Sequence, residues 1–171
     1  MPGVNFYHYD SCQCITAESC FGIVELADNT PVSMITDRSA KWGATVNNPA
    51  AKKLLVLPID KNVPIRKIDN PHDEERLCDL LIRSYMLDEF LIFIELKDWR
   101  KSPLNDAAKQ IGITIEHYQL HHQVDSFKFK KAFVTNGGNS GIQASQKDLM
   151  RAFKNKYGFV LRMSGTIDIP N

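Results

Sequence analysis

The chain has 171 residues, of which 43% are hydrophobic and 24% charged, and its formal net charge is +1. This is the composition of an ordinary globular protein with one core, which excludes an intrinsically disordered chain and a uniformly basic nucleic-acid coat. No apolar run approaches the ~20 residues of a membrane-spanning helix. The start, Met1-Pro2-Gly3-Val4-Asn5, has neither the basic nor the apolar region of a secretory leader, so the expected location is the cytoplasm, with no membrane partner.

Residues 6–10 alternate aromatic and polar side chains, as an edge strand does. Cys12, Cys14 and Cys20 follow, with His8 nearby. The set lacks the paired C-x2-C spacing of a zinc site, so reduced, buried thiols are expected. Thr16-Ala17-Glu18 opens either a short helix through Leu26 or a hairpin of residues 21–26 and 32–35 around Asp28-Asn29-Thr30-Pro31, and both readings stand. Residues 37–48 are polar, and Trp42-Gly43 and Asn47-Asn48-Pro49 mark a loop.

Lys52 and Lys53 lead into Leu54-Leu55-Val56-Leu57, a strand that Pro58 limits. Asp60-Lys61-Asn62 reads as a turn into residues 63–68, and residues 69–73 as a loop, with Asp69, Asp73, Glu74 and Glu75 forming a solvated acidic patch. Two apolar runs come next, Asp79-Leu80-Leu81-Ile82-Arg83 and residues 90–97, both with the character of buried strands. An antiparallel turn centred near Leu87 puts Asp79 opposite Glu95, and the pleat puts Lys97 on the same side as Glu95 while Leu96 points away. Like charges facing each other across strands are destabilising. A hard divalent cation such as Mg²⁺ or Mn²⁺ offsets that, because it takes carboxylate oxygens as ligands, and Lys97 then lies where it can orient or deprotonate a bound water. The competing reading is a surface ion pair between Glu95 and Lys97.

Ser102-Pro103 supplies an N-cap and a first-turn proline. The helix it opens carries an apolar stripe of Leu104, Ala108, Ile111, Ile115 and Tyr118, weakened midway by Gly112. His117, His121 and His122 fall at the helix end, where the dipole favours them. Residues 127–135 pass from a basic beginning to an apolar strand, and residues 136–141 are a glycine-rich connection. A last helix begins at Ser145 and stops by Gly158, with Leu149, Met150, Phe153 and Tyr157 inward. Lys147, Arg151 and Lys154 form a basic stripe on another face, suited to phosphates or simply solvated. Residues 159–163 make a final strand and residues 166–171 a tail.

Cys78-Asp79-Leu80-Leu81-Ile82 followed by Phe93-Ile94-Glu95-Leu96-Lys97 resembles the core motif of the PD-(D/E)XK nuclease superfamily, with Cys78 where the family carries proline. Ala107-Ala108-Lys109-Gln110-Ile111 is similar to the family's A-x-x-Q-[IL] helix segment. The resemblance runs from about Leu54 to Asn136. It implies a restriction-endonuclease-like α/β domain, a mixed sheet flanked by helices, with a core of residues 54–163 decorated by residues 1–50. Asp79, Glu95, Lys97 and Gln110 then form the catalytic set, and Asp79, Glu95 and the Leu96 carbonyl the metal ligands. The glutamate that many members carry on an early helix has only Glu18 and Glu25 as candidates. The implied activity is Mg²⁺-dependent hydrolysis of DNA phosphodiesters in restriction, repair or defence, and a homodimer is a possible assembly. The alternative is a catalytically silent module that binds protein or nucleic acid.

Overall fold

The computed structural model describes residues 4–9, 13–26, 30–67, 69–97, 104–135 and 144–171. In chain order these contain β1 (Cys14–Thr16), β2 (Cys20–Val24), β3 (Ser33–Ile35), β4 (Ala44–Asn47), β5 (Leu54–Pro58), β6 (Leu80–Ser84), β7 (Phe90–Leu96), α1 (Leu104–Gln119), β8 (Phe129–Thr135), α2 (Ala144–Tyr157), β9 (Val160–Met163) and β10 (Thr166–Asp168). The architecture is mixed α/β with two sheets. The first has the order β1-β5-β6-β7-β8-β9, antiparallel from β1 to β7 and parallel from β7 to β9, where α1 and α2 serve as the crossovers. The second has the order β10-β4-β2-β3.

The central strands are apolar without interruption because both of their faces are covered. From β7, Leu91 and Phe93 enter a core shared with Ile111, Ile115 and Tyr118 of α1 and Phe153 of α2. Phe90, Ile92 and Ile94 enter a second core with Phe21, Ile23, Ala44, Val46 and Ile167 of the smaller sheet. The layers are therefore helices, six-stranded sheet, four-stranded sheet. The expectation of one mixed sheet flanked by helices is corrected here: among the described residues, helices cover one face and a sheet covers the other. Residues 14–47 supply β1 to the main sheet and three strands to the second.

The hairpin register agrees with a turn near Leu87, with Leu81 opposite Phe93 and Ile82 opposite Ile92. Several local expectations are revised. Residues 6–9 are no edge strand, residue 10 lying outside the described residues; Phe6–His8 is a 3-10 turn whose cap, Asn5, accepts a hydrogen bond from Tyr7 N–H. Residues 21–35 take the hairpin reading, β2 pairing with β3. The polar stretch 37–48 contains β4, in which Ala44 and Val46 are buried while Thr45 and Asn47 face outward. The expected tail contains β10, parallel to β4. Between residues 63 and 67 there is only an isolated bridge from Arg66 to Glu74.

The apolar stripe of α1 packs as expected, and Gly112 has a specific use. A Cβ there would lie 2.4 Å from the Tyr157 hydroxyl, so the missing side chain makes room for the Tyr157 ring of α2. The cap at Ser102-Pro103 and the connection 136–141 lie outside the described residues. Among the described residues no helix is long and apolar enough to cross a membrane.

Candidate active site

Asp79 immediately precedes β6 and Glu95 is the penultimate residue of β7, so the hairpin register brings them to one end of the central strand pair. Leu96 turns its side chain toward the second sheet, where a Cβ on Gly43 would lie 3.3 Å from its Cδ1. Glu95 and Lys97 consequently face the helix side. Glu95 is 3% exposed.

The contacts form a short network. Lys97 Nζ donates to Glu95 Oε1 at 3.3 Å and to Gln110 Oε1 at 3.0 Å. Gln110 Nε2 donates to the Leu77 carbonyl at 3.4 Å. Asp79 Oδ2 accepts from Leu96 N–H at 2.6 Å, past the point where β6 has ceased to pair with β7. The N–H and C=O of a strand residue point toward the same neighbour, so the Leu96 carbonyl also faces the Asp79 side. Lys97 N–H points the other way, to the Thr135 carbonyl at 2.7 Å. Thr114 fixes the helix against the strand entrance: its hydroxyl accepts from Cys78 N–H at 2.8 Å and donates to the Gln110 carbonyl at 2.9 Å.

One atom in this network has nothing to bond. Glu95 Oε2 is buried and has no hydrogen-bond partner among the described residues, a costly state for a carboxylate oxygen. The carboxyl answers by holding its proton. Burial, and then the Asp79 charge, push Glu95 up to about 9 against the partial relief given by Lys97. Burial pushes Asp79 up to about 7, opposed by the Leu96 N–H. Together they make a proton-retaining acid pair with one vacant oxygen.

Two more acids act on the pair. The charge of Asp60 bears on both Asp79 and Glu95, and that of Glu25 on Asp79. Asp60 arrives because β5 ends beside the site, Ile59 N–H bonding the Asp79 carbonyl at 2.8 Å. Read as a turn residue, it carried no sequence signal for this position beyond its charge. Glu25 follows β2 and Glu18 lies between β1 and β2, so neither stands on a helix. Asp69, Asp73 and Glu74 are exposed, with Asp73 paired to Lys67 at 3.4 Å, as a solvated patch would be.

Other candidates lie apart from the acid pair. Cys14 and Cys20 are free and half-buried on different sheets, and Cys12 lies outside the described residues. Among the described residues no group of three or more His, Cys, Asp or Glu is arranged to hold a metal ion. Lys147, Arg151 and Lys154 are exposed on α2, and the 3.9 Å pair of Arg151 with Asp148 is a surface contact of little energetic weight. Comparison of the chain with protein-family models, with curated proteins and with solved structures finds no match.

Proposed function

We propose that the chain is a metal-dependent nuclease of the PD-(D/E)XK, restriction-endonuclease-like kind, hydrolysing DNA phosphodiester bonds. The observation that carries this reading is the buried, unpartnered Glu95 Oε2 beside Asp79, on the side of the strand that also presents Lys97. A group left short of partners in this way fits a hard cation, and the available donors are all oxygens: two carboxylates and the Leu96 carbonyl, the set that suits Mg²⁺ or Mn²⁺. Asp79, Glu95 and Leu96 would hold the ion. When bound, it polarises the scissile phosphate and lowers the pKa of its water.

The remaining work belongs to the chain's own groups. Lys97, held by Gln110 and Glu95, keeps its ammonium where it orients the attacking water and steadies negative charge building on the phosphate. Gln110 positions Lys97 and is itself anchored to Leu77. The stripe of Lys147, Arg151 and Lys154 meets backbone phosphates, which positions DNA without reading its sequence. The DNA preference rests on the family resemblance.

A silent binding module is favoured by one observation: Lys97 already bonds Glu95 Oε1 at 3.3 Å, an internal partner that needs no ligand. The two readings part in a titration of Mg²⁺ against cleavage of plasmid, linear and single-stranded DNA. Metal-stimulated cleavage that disappears in Glu95→Gln is the expected result. Its absence on every DNA and RNA substrate tried would leave the silent module.

A further inference from the structure

On the outer face of the second sheet is an open, polar depression of about 450 Å³, lined by Cys20, Arg38, Ala40, Trp42 and Thr45. Trp42 forms its wall in a preset position. The indole N–H donates to the Asp37 carbonyl at 2.9 Å. Beneath the ring lies Gly22, where a Cβ would come within 2.2 Å of the indole. One face of the ring is thus seated on bare backbone, and Thr45, paired across from Gly22, extends the floor with a hydroxyl. Asp37 also shapes the turn that presents Arg38, its Oδ1 accepting from Ser39 N–H at 2.9 Å and from the Ser39 hydroxyl at 2.7 Å. Arg38 is exposed and has no ion pair or hydrogen bond among the described residues.

We propose that this depression binds one nucleotide unit of a single DNA strand, the base stacked on Trp42 and the phosphate on Arg38. A preset indole stacks at little entropic cost, every base offers a π face, and a guanidinium with no partner among the described residues can take a phosphate in fork geometry. The hydroxyl of Thr45 meets the polar edge of the base. The depression is open, as the passage of a strand requires. Gly43, next to Trp42, packs against Leu96, which brings this part of the second sheet beside the strand residue that follows Glu95. The depression and the acid pair lie on the two outer faces of the sandwich, so the ~10 Å spacing of stacked sheets and the side chains on both faces separate them. A displaced strand a few nucleotides long bridges that distance. The choice of DNA as ligand rests on the nuclease reading; the depression itself does not.

The test is binding alone, made in a Glu95→Gln background so that no strand is cut and loss of cleavage is a separate result. The chain has two tryptophans, so Trp99→Phe leaves Trp42 as the fluorophore. Titration with an oligothymidylate of about eight nucleotides, within the usual site size of such surfaces, should quench Trp42. Arg38→Ala, an exposed change that leaves the fold alone, should weaken binding severalfold and lower the salt slope by about one phosphate contact. Followed by the anisotropy of a labelled oligonucleotide, since these variants lack the fluorophore, Trp42→Ala should weaken binding about tenfold or more and Trp42→Phe should restore most of the loss, which separates stacking from a folding defect. No quenching by the oligonucleotide, or an affinity and salt slope unchanged in Arg38→Ala, overturns the proposal. So does equal affinity for thymidine monophosphate, which would make the depression a mononucleotide pocket.

Discussion

Asp79 and Arg83 stand at opposite ends of one strand, and each brings charge into partly buried surroundings, yet the two clusters are built differently. Around Arg83 every group is answered. Its Nη1 donates to the Tyr7 hydroxyl at 3.2 Å, its Nη2 to Asp88 at 2.9 Å and its Nε to the Ser84 carbonyl at 3.0 Å. The guanidinium also lies over the Tyr7 and Phe127 rings. Tyr7 bonds the Tyr118 hydroxyl, and His122 Nε2 accepts the Phe6 N–H at 3.3 Å. That cluster fastens the turn at Phe6–His8 to the end of α1 and has nothing left to offer. At the Asp79 end, Glu95 Oε2 is unanswered among the described residues and both acids are pushed toward their protonated forms. A saturated buried network specifies a fold; one left short of partners has capacity for a ligand.

Substitution at the two ends should therefore give opposite phenotypes. Lys97→Ala should keep the fold and metal binding while turnover falls by a factor on the order of 10² or more. Arg83→Ala should lose about 1–3 kcal/mol in urea denaturation, because it takes one of two partners from the Tyr7 hydroxyl, leaves exposed Asp88 without its ion pair and uncovers two rings. Turnover per folded molecule should stay near that of the unsubstituted chain. If Arg83→Ala were the variant that loses turnover with stability intact, the division between the two ends would be wrong.

Metal should act on one end alone. Mg²⁺ at about 100 times its dissociation constant should stabilise the unsubstituted chain by roughly 2.7 kcal/mol, read as a raised melting temperature, and Asp79→Asn should erase the response. An equal response in both proteins removes Asp79 from the ligand set.

The pH dependence of metal-free stability should carry opposite signs at the two ends. Asp79 and Glu95 hold protons in the folded chain up to about 7 and about 9, above the unfolded values of 3.8 and 4.5. The folded state thus binds more protons, and their contribution falls as pH rises from about 4 toward 9. His122 is pushed down to about 4 from 6.5, burial leading and neighbouring His121, Arg83 and His8 adding to it. There the unfolded chain binds more protons, and stability is lost as pH falls from 6.5 toward 4. Denaturation midpoints across this range should flatten on the alkaline side in Glu95→Gln and on the acid side in His122→Gln. An alkaline limb that survives Glu95→Gln and Asp79→Asn together would assign it elsewhere. The smallest expected effect lies on α2: replacing Lys147, Arg151 and Lys154 by alanine should lower DNA affinity modestly and reduce the salt slope by up to about three contacts. An unchanged slope returns that stripe to a solvated face.

How much of this was legible in the sequence follows from how local each signal is. Asp79, Glu95 and Lys97 could be placed because alternation within residues 90–97 and a nearby turn settle both register and face, and Leu81 does sit across from Phe93. Gln110, placed by its helix position where it could reach the strand ends, bonds Lys97. The second sheet left little local trace. Only Ala44 and Val46 of β4 are buried, and its partner β10 pairs with it in parallel across most of the chain, Ile167 beside Val46, with no turn to announce the pairing. The aromatic run at residues 6–10 suggested a strand, whereas Asn5 caps it as a 3-10 turn. Asp60 gave no warning either, and Glu25 was a candidate only as a helix residue, since the approach of both to Asp79 depends on where β5 and β2 end.

The hairpin also has a bearing on the order of folding. Asp79 and Leu96 are joined across 17 residues, while the ties from α1 to the strand entrance span 33 residues at Gln110–Leu77 and 36 at Cys78–Thr114. Short loops close at less entropic cost than long ones, so the β6–β7 pair is the natural early nucleus. Such a nucleus draws the two carboxylates together before α1 brings Gln110 to hold Lys97. The acid pair is then a burden on the transition state as well as on the finished structure, heaviest where both acids are ionised.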